Sequence, residues 1–181
     1  MHQTCAVHPS IGPSEALTAA VEAIKVRGKA CPVPVDTWEQ CGLSDRVLQT
    51  VYELNLKEPF AIQKQAIPAI MCGRDVIGVA KTGSGKTLAF LLPMLRHILD
   101  QPPLLDGEGP IGLVMAPARE LALQVEEAFQ KFAKFTDLRV TIVYGGVGYG
   151  KQLEDLRRGV DILAATPGRL LDHLEQGNCS L

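Results

Sequence analysis

Apolar and polar positions change rhythm partway along the chain. Between Ser44 and Leu54 the apolar residues Val47, Leu48, Val51 and Leu54 recur at helical spacing. Ser44 is a residue type that favours a helix N-cap, so a helix is predicted there. A second is predicted over Ile62–Met71, closed by Cys72-Gly73. From Asp75 onward, short apolar runs alternate with longer amphipathic ones. The runs DVIGV (Asp75–Val79), IGLVMA (Ile111–Ala116), RVTIV (Arg139–Val143) and VDILA (Val160–Ala164) predict strands. Helices are predicted over Lys86–Leu99, Arg119–Phe135, about Lys151–Arg157 and Gly168–Glu175, and DQPPLLDGEGP reads as a loop.

Continuous apolar strands separated by amphipathic helices predict an α/β fold, a parallel sheet with helices on both faces. Ligands of such sheets gather at the carboxyl ends of the strands. The Gly-rich segment, PARE, YGG and TPGR are all expected on that edge. The first 30 residues lack large apolar anchors and are expected to be a flexible tail, with a short Ala-rich helix over residues 15–26 behind Ser14. KACPVPVD then reads as an extended lead to Trp38, and residues 31–181 form the domain.

Composition narrows this little. With 181 residues, 46% of them hydrophobic and 21% charged, the chain suits one globular domain and a tail. No apolar run approaches the roughly 20 residues of a membrane span. The start, MHQTCAVHPS, has no secretory pattern, so an intracellular setting is expected. A formal net charge of -2 disfavours a global basic field and leaves room for local nucleic-acid contacts. The five cysteines form no C-x-x-C pair and show no zinc spacing, which predicts free thiols.

The chemistry is concentrated in AKTGSGKT, Ala80–Thr87. This fits the phosphate-binding loop, and its predicted place between a strand and a helix is the context the pattern needs. Thr82, Gly83, Ser84 and Gly85 would curl the backbone so that N–H groups face phosphate oxygens, helped by the helix dipole. Lys86 would reach the outer phosphates and the Thr87 hydroxyl would hold Mg²⁺, making ATP with Mg²⁺ the expected ligand. Fast hydrolysis also needs an acidic residue at a strand end, and none follows these runs.

AKTGSGKT, PARELALQ (Pro117–Gln124), Gly145-Gly146 and TPGRLLD (Thr166–Asp172), in this order, resemble the first RecA-like domain of DEAD-box RNA helicases. IKVRGKACPVPVDTWEQCGL and DGEGPIGLVMAP look closest to the spliceosomal Prp5-type subfamily. The resemblance implies a P-loop NTPase fold and ATP-driven RNA unwinding by the complete protein. It implies RNA and spliceosome components as partners, a nuclear location and no membrane. It makes Gln63 the adenine-reading residue, with Trp38 as its distant aromatic. It assigns RNA contacts to Pro117, Arg119, Gly145, Gly146, Thr166, Gly168 and Arg169. Three departures stand out: Leu56 replaces the family's aromatic, Phe60-Ala61 replaces Thr-Pro, and Ala118 replaces Thr. The family's Asp-Glu-Ala-Asp motif and second domain are expected beyond Leu181, which makes this an incomplete first domain with a sheet edge and apolar face left uncovered. A nucleotide- or RNA-binding module without hydrolysis is the alternative.

Overall fold

The computed structural model describes residues 4–7, 32–105 and 107–181. The Ala-rich helix expected over residues 15–26 lies outside them. The chain divides into two compact units, Met1–His97 and Ile98–Leu181.

In the first unit, a 3-10 turn at Trp38–Cys41 precedes helices α1 (Asp45–Glu53) and α2 (Ala61–Met71). Trp38 is buried, and its indole N–H donates to the Leu56 carbonyl at 2.8 Å. Leu56 thus sits in a segment braced through its backbone by the Trp38 ring. Val47 and Val51 bury the apolar stripe of α1, whereas Ser44 occupies the N-cap position without a side-chain capping bond. Helix α2 ends at Cys72, as the Cys72-Gly73 signal predicts.

Strand β2 (Asp75–Gly78) pairs in parallel with β1 (Thr4–Val7) and leads into the Gly-rich loop. Helix α3 (Lys86–Leu99) follows that loop. The DVIGV run reads as a buried strand because nearly every residue in it is apolar, but only one of its faces is covered. Val76 packs with Ile62, Ala66, Ile70, Ala80 and Ala89, while Ile77 and Val79 are each 52% exposed. Neighbouring residues of a strand point to opposite faces, so packing by α2 on one side leaves the other open.

The second unit holds a three-stranded parallel sheet ordered β3-β5-β4, formed by Gly112–Met115, Ile162–Ala165 and Val140–Val143. Helices α4 (Arg119–Ala133), α5 (Tyr149–Arg157) and α6 (Pro167–Glu175) flank it. The central strand β5 is buried along its whole length, as an apolar run between two partners should be. Val143, Leu156, Val160, Leu163, Ala165 and Leu170 form the core here. At the amino ends of the strands, the buried Asp161 carboxylate accepts the Arg139 backbone N–H at 2.7 Å and its Nε–H at 3.2 Å. All the predicted elements from Ser44 onward form, with boundaries moved by one or two residues.

Candidate functional site

The Gly-rich loop follows the carboxyl end of β2 and opens α3, the placement its sequence context demands. Gly83 and Gly85 take φ of 78° and 83°, values that side chains other than glycine rarely adopt. At Gly85 the need is double. A Cβ there would fall 2.8 Å from Phe60 Cδ2 and closer still to Gln63 Nε2. The Gly85 carbonyl accepts the Ala89 N–H at 3.2 Å, the first turn of α3, and also the Gln63 side-chain amide at 3.0 Å.

Gln63 is 2% exposed, not an open helix position. Its Oε1 accepts the Phe60 N–H at 2.7 Å while its Nε2 donates to Gly85. A side-chain amide has two donors and two acceptor lone pairs, so one N–H and one lone pair stay uncommitted in these bonds. Gln63 therefore fastens the start of α2 to the Gly-rich loop. The Lys86 ammonium donates to the Ala80 carbonyl and, at 2.8 Å, to the Lys81 carbonyl, which closes the loop over its own lysine. Thr82 and Gly83 are exposed, and Ser84 and Thr87 are partly buried. Ser84 Oγ is buried without a hydrogen-bond partner among the described residues.

In the second unit, the remaining predicted residues follow the carboxyl ends of three neighbouring strands. Pro117 and Arg119 come after β3, Gly145-Gly146 after β4, and Thr166, Gly168 and Arg169 after β5. Backbone bonds lock the edge: the Ala116 N–H donates to Ala165 at 2.8 Å and the Thr166 N–H to Val143 at 2.9 Å. Arg119 opens α4 and places its guanidinium 4.9 Å from the centre of the Tyr144 ring. Gly145, Gly146 and Gly168 are exposed, and a Cβ on any of them would meet open space. Packing does not require glycine there, although the left-handed φ of 84° at Gly146 does. Arg169 is held more tightly than a free phosphate arm. It lies 5.4 Å from the Tyr149 ring centre, 3.7 Å from the Asp172 carboxylate, and donates to the Val147 carbonyl at 3.4 Å.

Three residues that sequence reasoning passed over build this edge. Gln152 is buried and ties both its amide ends to the Tyr144 backbone. Tyr149 stacks on His173 with ring centroids 4.4 Å apart, and its hydroxyl donates to Gln176 at 2.9 Å. His173 is buried, and burial together with the Arg169 charge lowers its pKa, partly offset by Asp172. The i, i+4 spacing of Arg169 and His173 hinted that they share a helix face, but nothing in the sequence signalled the stack on Tyr149.

A cavity of about 440 Å³ opens at the amino ends of β3, β4 and β5, lined by Arg139, Arg158 and Cys179 among others. It touches none of the predicted site residues. Among the described residues, no group of acidic, histidine or cysteine side chains could hold a metal ion, and no helix is long and apolar enough to cross a membrane.

A profile described as DEAD/DEAH box helicase matches residues 60–181. The chain is 55% identical over 158 residues to the probable ATP-dependent RNA helicase DDX46 of Danio rerio, covering 87% of this chain and 16% of that protein. It is 52% identical over 167 residues to the pre-mRNA-processing ATP-dependent RNA helicase prp11 of Schizosaccharomyces pombe, covering 91% of this chain and 16% of the relative. Among solved structures, the RNA helicase Prp28 from Chaetomium thermophilum bound to ADP is similar with a TM-score of 0.78 and 43% identity. That match covers 85% of this chain and 38% of Prp28. The chain thus spans about one sixth of the length of the curated relatives it matches, the 16% just given.

Proposed function

The chain belongs to the DEAD/DEAH box helicase family, and from that membership we propose that it is the nucleotide- and RNA-binding portion of an ATP-dependent RNA helicase. The observation that carries the proposal is the loop from Ala80 to Thr87. Two left-handed glycines there curl the chain directly into α3, with Lys86 at the helix's first position. Successive backbone N–H groups at a helix start, next to an ammonium, bind polyphosphate.

In this reading Lys86 exchanges the Ala80 and Lys81 carbonyls for the outer phosphates of ATP. Gln63 presents its uncommitted N–H and lone pair to the adenine edge while keeping the loop in register. The Thr87 hydroxyl, in the first turn of α3, fits a Mg²⁺ carried in with the nucleotide, as an oxygen ligand beside the outer phosphates. That ion would neutralise phosphate charge.

In the second unit, the N-termini of α4 and α6, with Arg119, Thr166, Gly168 and Arg169, supply phosphate contacts, and Pro117 and Gly145-Gly146 allow close backbone approach. Contacts of this kind fix strand position and shape rather than base sequence. Similarity to relatives named as pre-mRNA-processing helicases supports pre-mRNA as the substrate class, spliceosome components as partners and the nucleus as the location of the complete protein.

Residues directly after β2, β3, β4 and β5 are Val79, Ala116, Tyr144 and Thr166, none of them acidic. These 181 residues therefore bind without appreciable hydrolysis, and unwinding belongs to the longer protein. The test is titration with ADP and with a single-stranded oligonucleotide. Lys86→Ala should abolish ADP binding and leave RNA binding intact. RNA-stimulated turnover by this chain, or ADP affinity indifferent to Lys86→Ala, would overturn the proposal.

A further inference from the structure

Phe60 lies beside the Gly-rich loop and stands 56% exposed. A phenyl ring in that state leaves unused the burial free energy that normally draws Phe into a core. Its position is nevertheless fixed. The Phe60 N–H is held by Gln63 Oε1 at 2.7 Å, and its carbonyl accepts the Gln63 and Lys64 N–H groups at 2.8 and 2.9 Å as α2 begins. One ring edge lies against the loop, because a Cβ on Gly85 would come within 2.8 Å of Phe60 Cδ2. Leu56, in the segment braced by the buried Trp38, brings no ring to the site.

A half-exposed π surface, its backbone held at the start of α2 and its edge against the Gly-rich loop, beside an amide with a spare donor and a spare acceptor, matches a flat heteroaromatic base attached to phosphates. We infer that Phe60 is the base-stacking residue of this site, a specificity determinant for nucleotide over bare polyphosphate. This rests on the reading of the loop as a nucleotide site. Stacking is tolerant of base identity, since every base offers a π face. Phe60 therefore sets how strongly a base is held, and the Gln63 amide sets which base.

The test pairs two probes, ADP and inorganic tripolyphosphate, titrated calorimetrically into the full chain and its Phe60→Ala, Phe60→Leu and Phe60→Trp variants. Phe60→Ala should weaken ADP about tenfold and leave tripolyphosphate unchanged. Phe60→Leu keeps apolar bulk without the π face and should lose nearly as much, which covers a poorly folding alanine variant. Phe60→Trp should retain ADP affinity, and its added fluorescence should be quenched by ADP and not by tripolyphosphate. Equal losses for both probes would make Phe60 a brace of the loop and overturn the inference, as would ADP affinity unchanged in Phe60→Leu. Failure of the unsubstituted chain to bind either probe would instead sink the nucleotide reading beneath it.

Discussion

Gln152 closes two hydrogen bonds on the backbone of Tyr144: the Tyr144 N–H reaches Oε1 at 3.2 Å, and Nε2 reaches the Tyr144 carbonyl at 3.1 Å. A side-chain amide here imitates a strand neighbour for the residue just before Gly145-Gly146. The same Tyr144 carries the Arg119 guanidinium over its ring. One buried amide on α5 thus fixes the loop after β4, and through it the start of α4.

Gln152→Ala would leave the Tyr144 N–H and carbonyl without their partner in a part-buried setting. The expected loss is about 1–3 kcal/mol of stability, read from the denaturant midpoint. Gln152→Glu should be no better, because a carboxylate accepts from the N–H but cannot donate to the carbonyl.

His173 is 0% exposed, and neither ring nitrogen has a hydrogen-bond partner among the described residues. Its folded pKa lies below the ordinary value, chiefly through burial and then the Arg169 charge. The unfolded chain therefore takes up the proton first. Stability should be intact above the unfolded value, about 6.5, and fall as the pH drops below it. His173→Met should remove two orphaned polar atoms and flatten that slope. Urea melts at pH 7.5 and 5.5 measure both effects, and an unchanged slope in the variant would count against them.

Gly83 and Gly85 separate strain from space. Gly83→Ala meets open space and pays only for its left-handed backbone, about 1 kcal/mol. Gly85→Ala adds a collision with Gln63 and Phe60, so it should cost more and abolish ADP binding. Equal thermal shifts for the two variants would contradict this account.

Asp161 is buried while its partner Arg139 is partly exposed, and the carboxylate also holds the Arg139 backbone N–H. Asp161→Ala should cost about 2–3 kcal/mol by orphaning that N–H and freeing the arginine. Asp161→Asn, which can still accept one bond, should cost less. Paired thermal melts decide the order.

Burial, with a contribution from Glu39, pushes the Cys41 thiol up to about 11. Cys72 is exposed. At pH 8, alkylation followed by peptide mapping should find Cys72 modified early and Cys41 only in denaturant.

Sequence alone determined the elements from Ser44 onward, because they depend on local pattern, whereas strand β1 at Thr4–Val7 lies where that pattern predicted only a tail. The apolar runs gave strands β2 to β5, the 3.6-residue spacing gave the helices, and the strand–AKTGSGKT–helix order is the one the fold adopts. Spacing of PARE, Gly145-Gly146 and TPGR after successive strands also put them on one edge once the strands were taken as parallel. Local pattern could not say which face of Asp75–Gly78 is covered, since Val76 and Ile77 are equally apolar and only the packing of α2 distinguishes them. Nor could it place Gln152, Tyr149 and His173, whose partners lie 8 to 29 residues away in the chain, or show Arg169 drawn in toward Val147. Tertiary structure decided those relationships, and it turned Gln63 from a motif letter into a clamp. Its two hydrogen bonds join α2 to a loop 22 residues later, a contact that exists only after the chain has folded back on itself.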